Sequence, residues 1–226
     1  MKKKSILSRS IMTFTIMTIL LLISGQTGVF ASTVSITEWM YKGGNGEYIE
    51  LTNIGDSEVD FTGWSYDDES RNPGVFDLSG FGIVAAGESV IFTEANTEAF
   101  RSDWHLDSSV KILGGVRNNI GRGDEINIYD NTDSLVDRLA YGDEDFSGTI
   151  RTNGTSGNPI SIAALGANDV YQWEYSYVGD RHGSYMSDSY AVGNPGINPV
   201  PVPGALLLMG SGLLSLIGIN RRKKAN

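Results

Sequence analysis

The 226-residue chain contains no cysteine, which excludes disulfide bridges, thiolate metal sites and a cysteine nucleophile. Only two histidines occur, His105 and His182, and both lie in loop-like surroundings, "SDWHLDS" and "GDRHGS", that predict solvated side chains. No H-E-x-x-H, G-x-S-x-G or Walker sequence is present. Those spacings are what place a metal, a nucleophile or a nucleotide phosphate. A Ser–His–Asp assembly is defined by geometry and stays open at this point, but the sequence offers no positive sign of an enzyme. Long apolar runs are also missing. The stretch "IMTFTIMTILLLIS" is short for a span, and Gly204 to Ile219 stops about two residues below the usual length of a spanning helix.

Basic residues are scarce in the body of the chain. Eight of the 17 lie in the two ends, while all 27 acidic residues lie between Ser32 and Pro203. Nine bases against 27 acids leave that body with a net charge of −18. Such a surface repels nucleic acid and anionic lipid headgroups, and attracts cations.

The ends themselves have a recognisable plan. Lys2, Lys3, Lys4 and Arg9 precede the first apolar stretch, and Val29 and Ala31 are small residues around a cut after Ala31. Residues 1–31 therefore read as a secretory signal peptide. At the other end, residues 199–226 combine the proline motif Val200-Pro201-Val202-Pro203, a glycine-laced apolar segment expected to be helical, and the basic cluster Arg221 to Lys224. A permanent C-terminal anchor would explain the span and the charges, with the basic cluster left in the cytoplasm.

Residues 32–198 read as one domain of short strands. "VSITEWM", "GEYIELTN", "EVDFTGWSY", "ESVIFTE", "DEINIYD" and "SLVDRLAY" are rich in β-branched and aromatic residues, with turn signals between them. Ile49 and Leu51 share one face of their strand, with Tyr48 and Glu50 on the other. Only "NTEAFRSDW" predicts a helix, with Asn96 as its cap and Glu98 in its first turn. Many short strands with almost no helix predict an all-β sandwich.

The order of these pieces resembles the lamin tail domain, an immunoglobulin-like β-sandwich. Its opening is matched by Glu38, by Glu47 to Asn53 (E-Y-I-E-L-T-N), by Val59 with Phe61, and by Gly63-Trp64. "VAAGESVIFTE", "NNIGRGDEINIYDNTDSLVDRLAYG" and the closing Pro-Gly in "VGNPGINP" are similar to the family's later strands. A Gly/Asn/Ser-rich insertion over 143–170 departs from it. The tail resembles a PEP-CTERM sorting signal, the substrate of exosortases in Gram-negative bacteria, with Val202 where that motif has glutamate. This resemblance implies export through an inner-membrane intermediate to the cell surface or extracellular matrix. It also implies an exosortase-type processing enzyme as partner and a structural or binding role among exopolysaccharides in a biofilm. The alternatives are a small surface hydrolase with an unrecognised site and a permanently anchored binding domain.

Candidate binding residues come from "VYQWEYSY". Tyr171, Trp173, Tyr175 and Tyr177 recur at every second position, so a continuous strand would put all four on one face. They would either fill the sandwich or form an exposed ladder for sugar rings; the resemblance to the lamin tail domain implies that Trp173 at least is buried. "RGD" at 122–124 invites an adhesive reading, yet it falls where a hairpin is expected to begin. The acidic loops 66–70, 130–137 and 141–146 could offer oxygens to calcium, but no complete calcium-loop motif occurs. Turn geometry accounts for them better, and no cofactor is expected.

Overall fold

The computed structural model describes residues 33–197. Its organisation follows from strand β1 (Val34–Met40), all seven residues of which are buried. Val34, Ile36 and Trp39 enter one apolar core, while Met40 enters a second core on the other side. A bulge between Ile36 and Glu38 shifts the pairing with β2 (Tyr48–Asn53). In β2, Ile49 and Leu51 face the first core and Tyr48 the second. A sheet with apolar side chains on both faces must be covered on both.

The inner face is covered by a second sheet. Asn53 leads out of β2 and holds the following turn, its Nδ2 donating to Ser57 and Val84 carbonyls at 2.8 and 3.0 Å. Next come β3 (Val59–Asp60) and β4 (Ser65–Asp67), which belong to different sheets. The expected single strand "EVDFTGWSY" is broken because Gly63 adopts φ +79°, a conformation that side chains with a Cβ disfavour. The break feeds Trp64 into the core, stacked on Phe61 at 4.4 Å.

The chain continues through β5 (Phe76–Asp77), β6 (Ile83–Val84) and β7 (Ser89–Thr93) to helix α1 (Thr97–Asp103). Strand β8 (Lys111–Gly114) then runs parallel to β7, and β9 (Gly123–Tyr129) and β10 (Leu135–Gly142) form the longest hairpin. Two larger sheets result, β12-β11-β1-β2-β7-β8 and β10-β9-β4-β5, packed over the first core, while β3 and β6 pair with each other as a separate two-stranded ribbon. Here β11 is Gly157–Pro159 and β12 is Trp173–Tyr175. The expected β-sandwich is present. The insertion over 143–170 is part of it, because β11 pairs with β1 through Trp39 and Gly157.

The outer face of the six-stranded sheet is covered by α1 and by the last described segment. Asn96 caps the helix as its sequence predicts, its side chain accepting from Glu98 and Ala99 amides at 3.0 and 3.3 Å. Phe100 and Trp104 then pack edge-on against Tyr48. The rest is closed by the short hairpin β13 (Tyr185–Met186) and β14 (Val192–Gly193) with the residues after it.

One carboxyl joins the two sheets at their edge. Asp137 of β10 is buried, and its Oδ2 accepts the Ile36 amide in the β1 bulge at 2.8 Å. Its Oδ1 accepts the Arg138 amide at 2.7 Å, and burial pushes its pKa up to about 6. The next amide that pairing with β9 leaves free, Ala140, donates to Asn168 Oδ1 at 2.7 Å. Both would otherwise offer this edge to a further strand. Asp137→Ala should orphan a buried amide and destabilise the domain by about 2–3 kcal/mol, measured as a lower urea midpoint at unchanged slope.

Candidate functional site

Local structure divides the aromatic run. Asp169 caps a 3-10 turn at Val170–Gln172, its Oδ1 accepting the Tyr171 amide at 3.1 Å and its Oδ2 the Gln172 side chain at 2.9 Å. Tyr171 is therefore on a turn, and strand geometry begins only at Trp173. It ends at Tyr175, because Tyr177 opens another turn, donating its amide to Asp180 Oδ2 at 3.1 Å. The single face of four rings expected from the alternation does not form.

Trp173 is core. It is 5% exposed and meets Trp39 edge-on at 4.8 Å, so it is withdrawn as a ligand contact. Tyr171, Tyr175 and Tyr177 stay at the surface, at 59%, 43% and 64% exposure. The core and surface alternatives for this run are both realised, residue by residue.

Segment 146–151 runs between Tyr171 and Tyr175, anchored from below by the buried Ile150. At one end, the Phe146 ring meets Tyr171 edge-on at 6.4 Å, and the Tyr171 hydroxyl comes within 3.5 Å of the Ser147 carbonyl. At the other, the Arg151 amide donates to the Tyr175 hydroxyl at 2.7 Å, and Arg151 Nε donates to the Tyr41 hydroxyl at 3.0 Å. The result is a rim of exposed aromatic faces, fixed at their polar ends, with a guanidinium among them. A flat apolar face bordered by donors and acceptors suits a sugar ring. Phe146, Arg151 and Tyr41 had no local signature, since only the path of the insertion brings them to the tyrosines.

The other sequence candidates are absorbed by the fold. Arg122 pairs with Asp143 at 2.6 Å and Glu144 at 2.5 Å. Asp124 accepts the Gly121 and Glu125 amides at 2.7 and 2.8 Å. Burial, with Glu69 alongside, pushes the Asp124 carboxyl up to about 7. The tripeptide is thus built into the start of the β9–β10 hairpin.

In the acidic loops, Asp130 Oδ1 accepts the Thr132 hydroxyl and the Thr132 and Ser134 amides, which holds its pKa below the usual range. Asp67 likewise accepts from Ser70, Asn72 and Asn118. Among the described residues no group of three histidines or carboxylates is arranged to hold a metal.

His105 is exposed and lies 2.9 Å from Asp188 Oδ1. His182 corrects the expectation of a solvated ring, being 7% exposed with Nε2 3.1 Å from Glu174 Oε1. Its burial follows from Asp180, whose Oδ1 accepts both the His182 and Ser184 amides and so folds this turn inward. Among the described residues the ring contacts of the two histidines are to Asp188, Glu174 and Arg181, with no serine hydroxyl among them.

Three polar positions in and just before the second strand now have a structural duty. Glu47 Oε1 accepts the Ile120 amide at 3.0 Å, Glu50 faces Glu38 across the strand pair, and Asn53 holds the turn. The lamin tail domain profile matches residues 30–143. The chain belongs to the lamin tail domain family. A comparison with curated proteins finds no match. In this lamin tail domain the aromatic rim is built almost wholly beyond residue 143, from the strands and loops added after β10.

The processing residues Ala31, Val200, Pro201, Val202 and Pro203, with the leader and the basic tail, lie outside the described residues. Among the described residues no helix is long and apolar enough to cross a membrane. Trp173→Ala should cost about 3–5 kcal/mol of stability. The pair Tyr171→Ala and Tyr175→Ala should together cost less than about 1.5 kcal/mol. Urea unfolding of the three variants checks both figures.

Proposed function

We propose that this lamin tail domain is an exported binding module of the cell surface or extracellular matrix. In this reading it holds polysaccharide by stacking sugar rings on Tyr171 and Tyr175. The observation that supports this most directly is the pair of exposed tyrosine rings on either side of segment 146–151, the Tyr175 hydroxyl fixed by the Arg151 amide and Tyr171 braced by Phe146. Rigid aromatic faces lose little conformational freedom on binding, which is what makes such contacts favourable.

Export rests on the leader ending at Ala31. Delivery rests on the tail, where Val200 to Pro203, the apolar segment and Arg221 to Lys224 follow the plan of a PEP-CTERM signal read by an exosortase-type enzyme. The apolar segment would hold the chain in the inner membrane until that step. The body's charge of −18 disfavours nucleic acid and anionic lipid as alternatives. An exopolysaccharide or biofilm setting fits both halves of the reading, and no catalytic role is assigned.

Two measurements test this. Affinity electrophoresis of the full chain against soluble neutral and charged polysaccharides should show retardation. The Tyr171→Ala/Tyr175→Ala variant should weaken it by on the order of tenfold or more. Equal retardation of the variant, or none of the parent, removes the platform. Intact mass of protein recovered from the native host's surface should lack Met1–Ala31 and the residues after about Pro203; retention of Arg221–Lys224 would favour a permanent anchor.

A further inference from the structure

The outer face of the six-stranded sheet carries two carboxyls that neither the proposed binding rim nor the inner core uses. Glu38 and Glu50 are direct partners in the β1–β2 register, and both are almost wholly shielded from solvent. The segment that shields them is also the segment they bind. Glu38 Oε1 accepts the Asn194 amide at 2.8 Å, and the Ser156 hydroxyl as well. Glu50 Oε2 accepts the Gly196 amide at 2.7 Å, while its Oε1 accepts the Thr37 hydroxyl at 2.8 Å.

Gly193 makes this approach feasible. A Cβ there would fall 2.8 Å from Glu38 Oε1 and would also collide with the Tyr48 hydroxyl. Asn194 then braces the segment from both ends, donating to the Ile197 carbonyl at 2.6 Å and accepting from Asn158 at 2.8 Å. Glu38 Oε2 and the Tyr48 hydroxyl are both buried, with the Ser156 side chain beside them.

From these contacts we infer that residues 193–196 form a proton-dependent latch, fastened while Glu38 and Glu50 share too few charges to repel and loosened as both ionise. Among the described residues no cation is found beside the pair. The titratable and charged groups facing the pair are Tyr48 from β2, Asp180 from the 177–184 turn and Tyr185 from β13, with Asp103 of α1 acting on Tyr185. Asp180 is itself held ionised by the amides of Tyr177, His182 and Ser184. His182 is turned to Glu174. Burial raises Glu38 to about 7, and burial together with Glu38 raises Glu50 to about 8, from 4.5 in an open chain.

The sign follows from linkage. The closed latch holds protons that the open segment releases, so closure is fully favoured below pH 4.5 and is progressively lost as pH rises to about 8. This is opposite to ordinary acid denaturation.

Hydrogen exchange of the full chain, corrected for intrinsic rates and read on peptides spanning 186–197, tests the latch. Protection should fall as pH rises from 5 to 8, by up to about tenfold per pH unit for each carboxyl still protonated in the closed form, then level off. The Glu38→Gln/Glu50→Gln variant should lose that slope, and Glu50→Gln alone should show a shallower one. Core amides of β9 and β10, near Ile126 and Leu139, serve as reference, because Asp137, Glu47 and Asp124 give the whole domain a pH dependence of its own. A parent with no slope, or a latch that exchanges only together with β9 and β10, overturns the inference. So does an undiminished slope in the double variant. The parent profile decides the matter even where a variant fails to fold.

Discussion

Two carboxyls facing each other under a glycine determine how this domain closes. Glu38 and Glu50 sit on the outer face of the central sheet, among Tyr48, Met40 and Ile91. Buried carboxyls must be hydrogen-bonded or they cost several kcal/mol. The amides of Asn194 and Gly196 meet that demand. In doing so they draw the last segment across the sheet, and the second apolar core is completed by Ala191 and Tyr185. The same contacts fix the position of β14, whose Val192 carbonyl accepts the Ser156 amide beside β11.

The rim depends on this closure at one remove. β11 reaches β1 because Gly157 has no side chain, and a Cβ there would lie 2.5 Å from the Trp39 ring. With β11 in place, β12 pairs along it and Trp173 drops onto Trp39. Burial of Trp173 sets the height of Tyr175, and Asp169 sets that of Tyr171. The exposed tyrosines are therefore a consequence of core packing next to them.

Charge follows a similar division. The large negative surface is mostly carboxylates in turns, such as Asp60, Asp77 and Asp130, each accepting hydrogen bonds from residues just ahead and held below the usual carboxylate range. The carboxyls that join distant parts of the chain, Glu38, Glu47, Glu50 and Asp137, are buried and pushed the other way. Local geometry favours the charged form, and long-range contact made at the expense of water favours the neutral one.

Composition and periodicity alone determined the strand-dominated class, the shared face of Ile49 and Leu51, and the helix capped by Asn96. Those features depend on neighbours a few residues away, where alternation and capping rules apply. β11, β13 and β14 were not legible, because strands of two or three residues are too short for an alternating pattern, and β11 and β14 also contain Gly or Pro. The aromatic run was legible as unusual but not as divided, since a period of two says nothing about where the strand stops. The resemblance implied burial of Trp173, but only tertiary structure decided that its tyrosine neighbours stay at the surface. It alone decided that Arg151 and Phe146 join the tyrosines, and that Glu38 and Glu50 close on amides about 150 residues away. Such contacts are set by which surfaces meet after the chain has collapsed, and no local pattern encodes them.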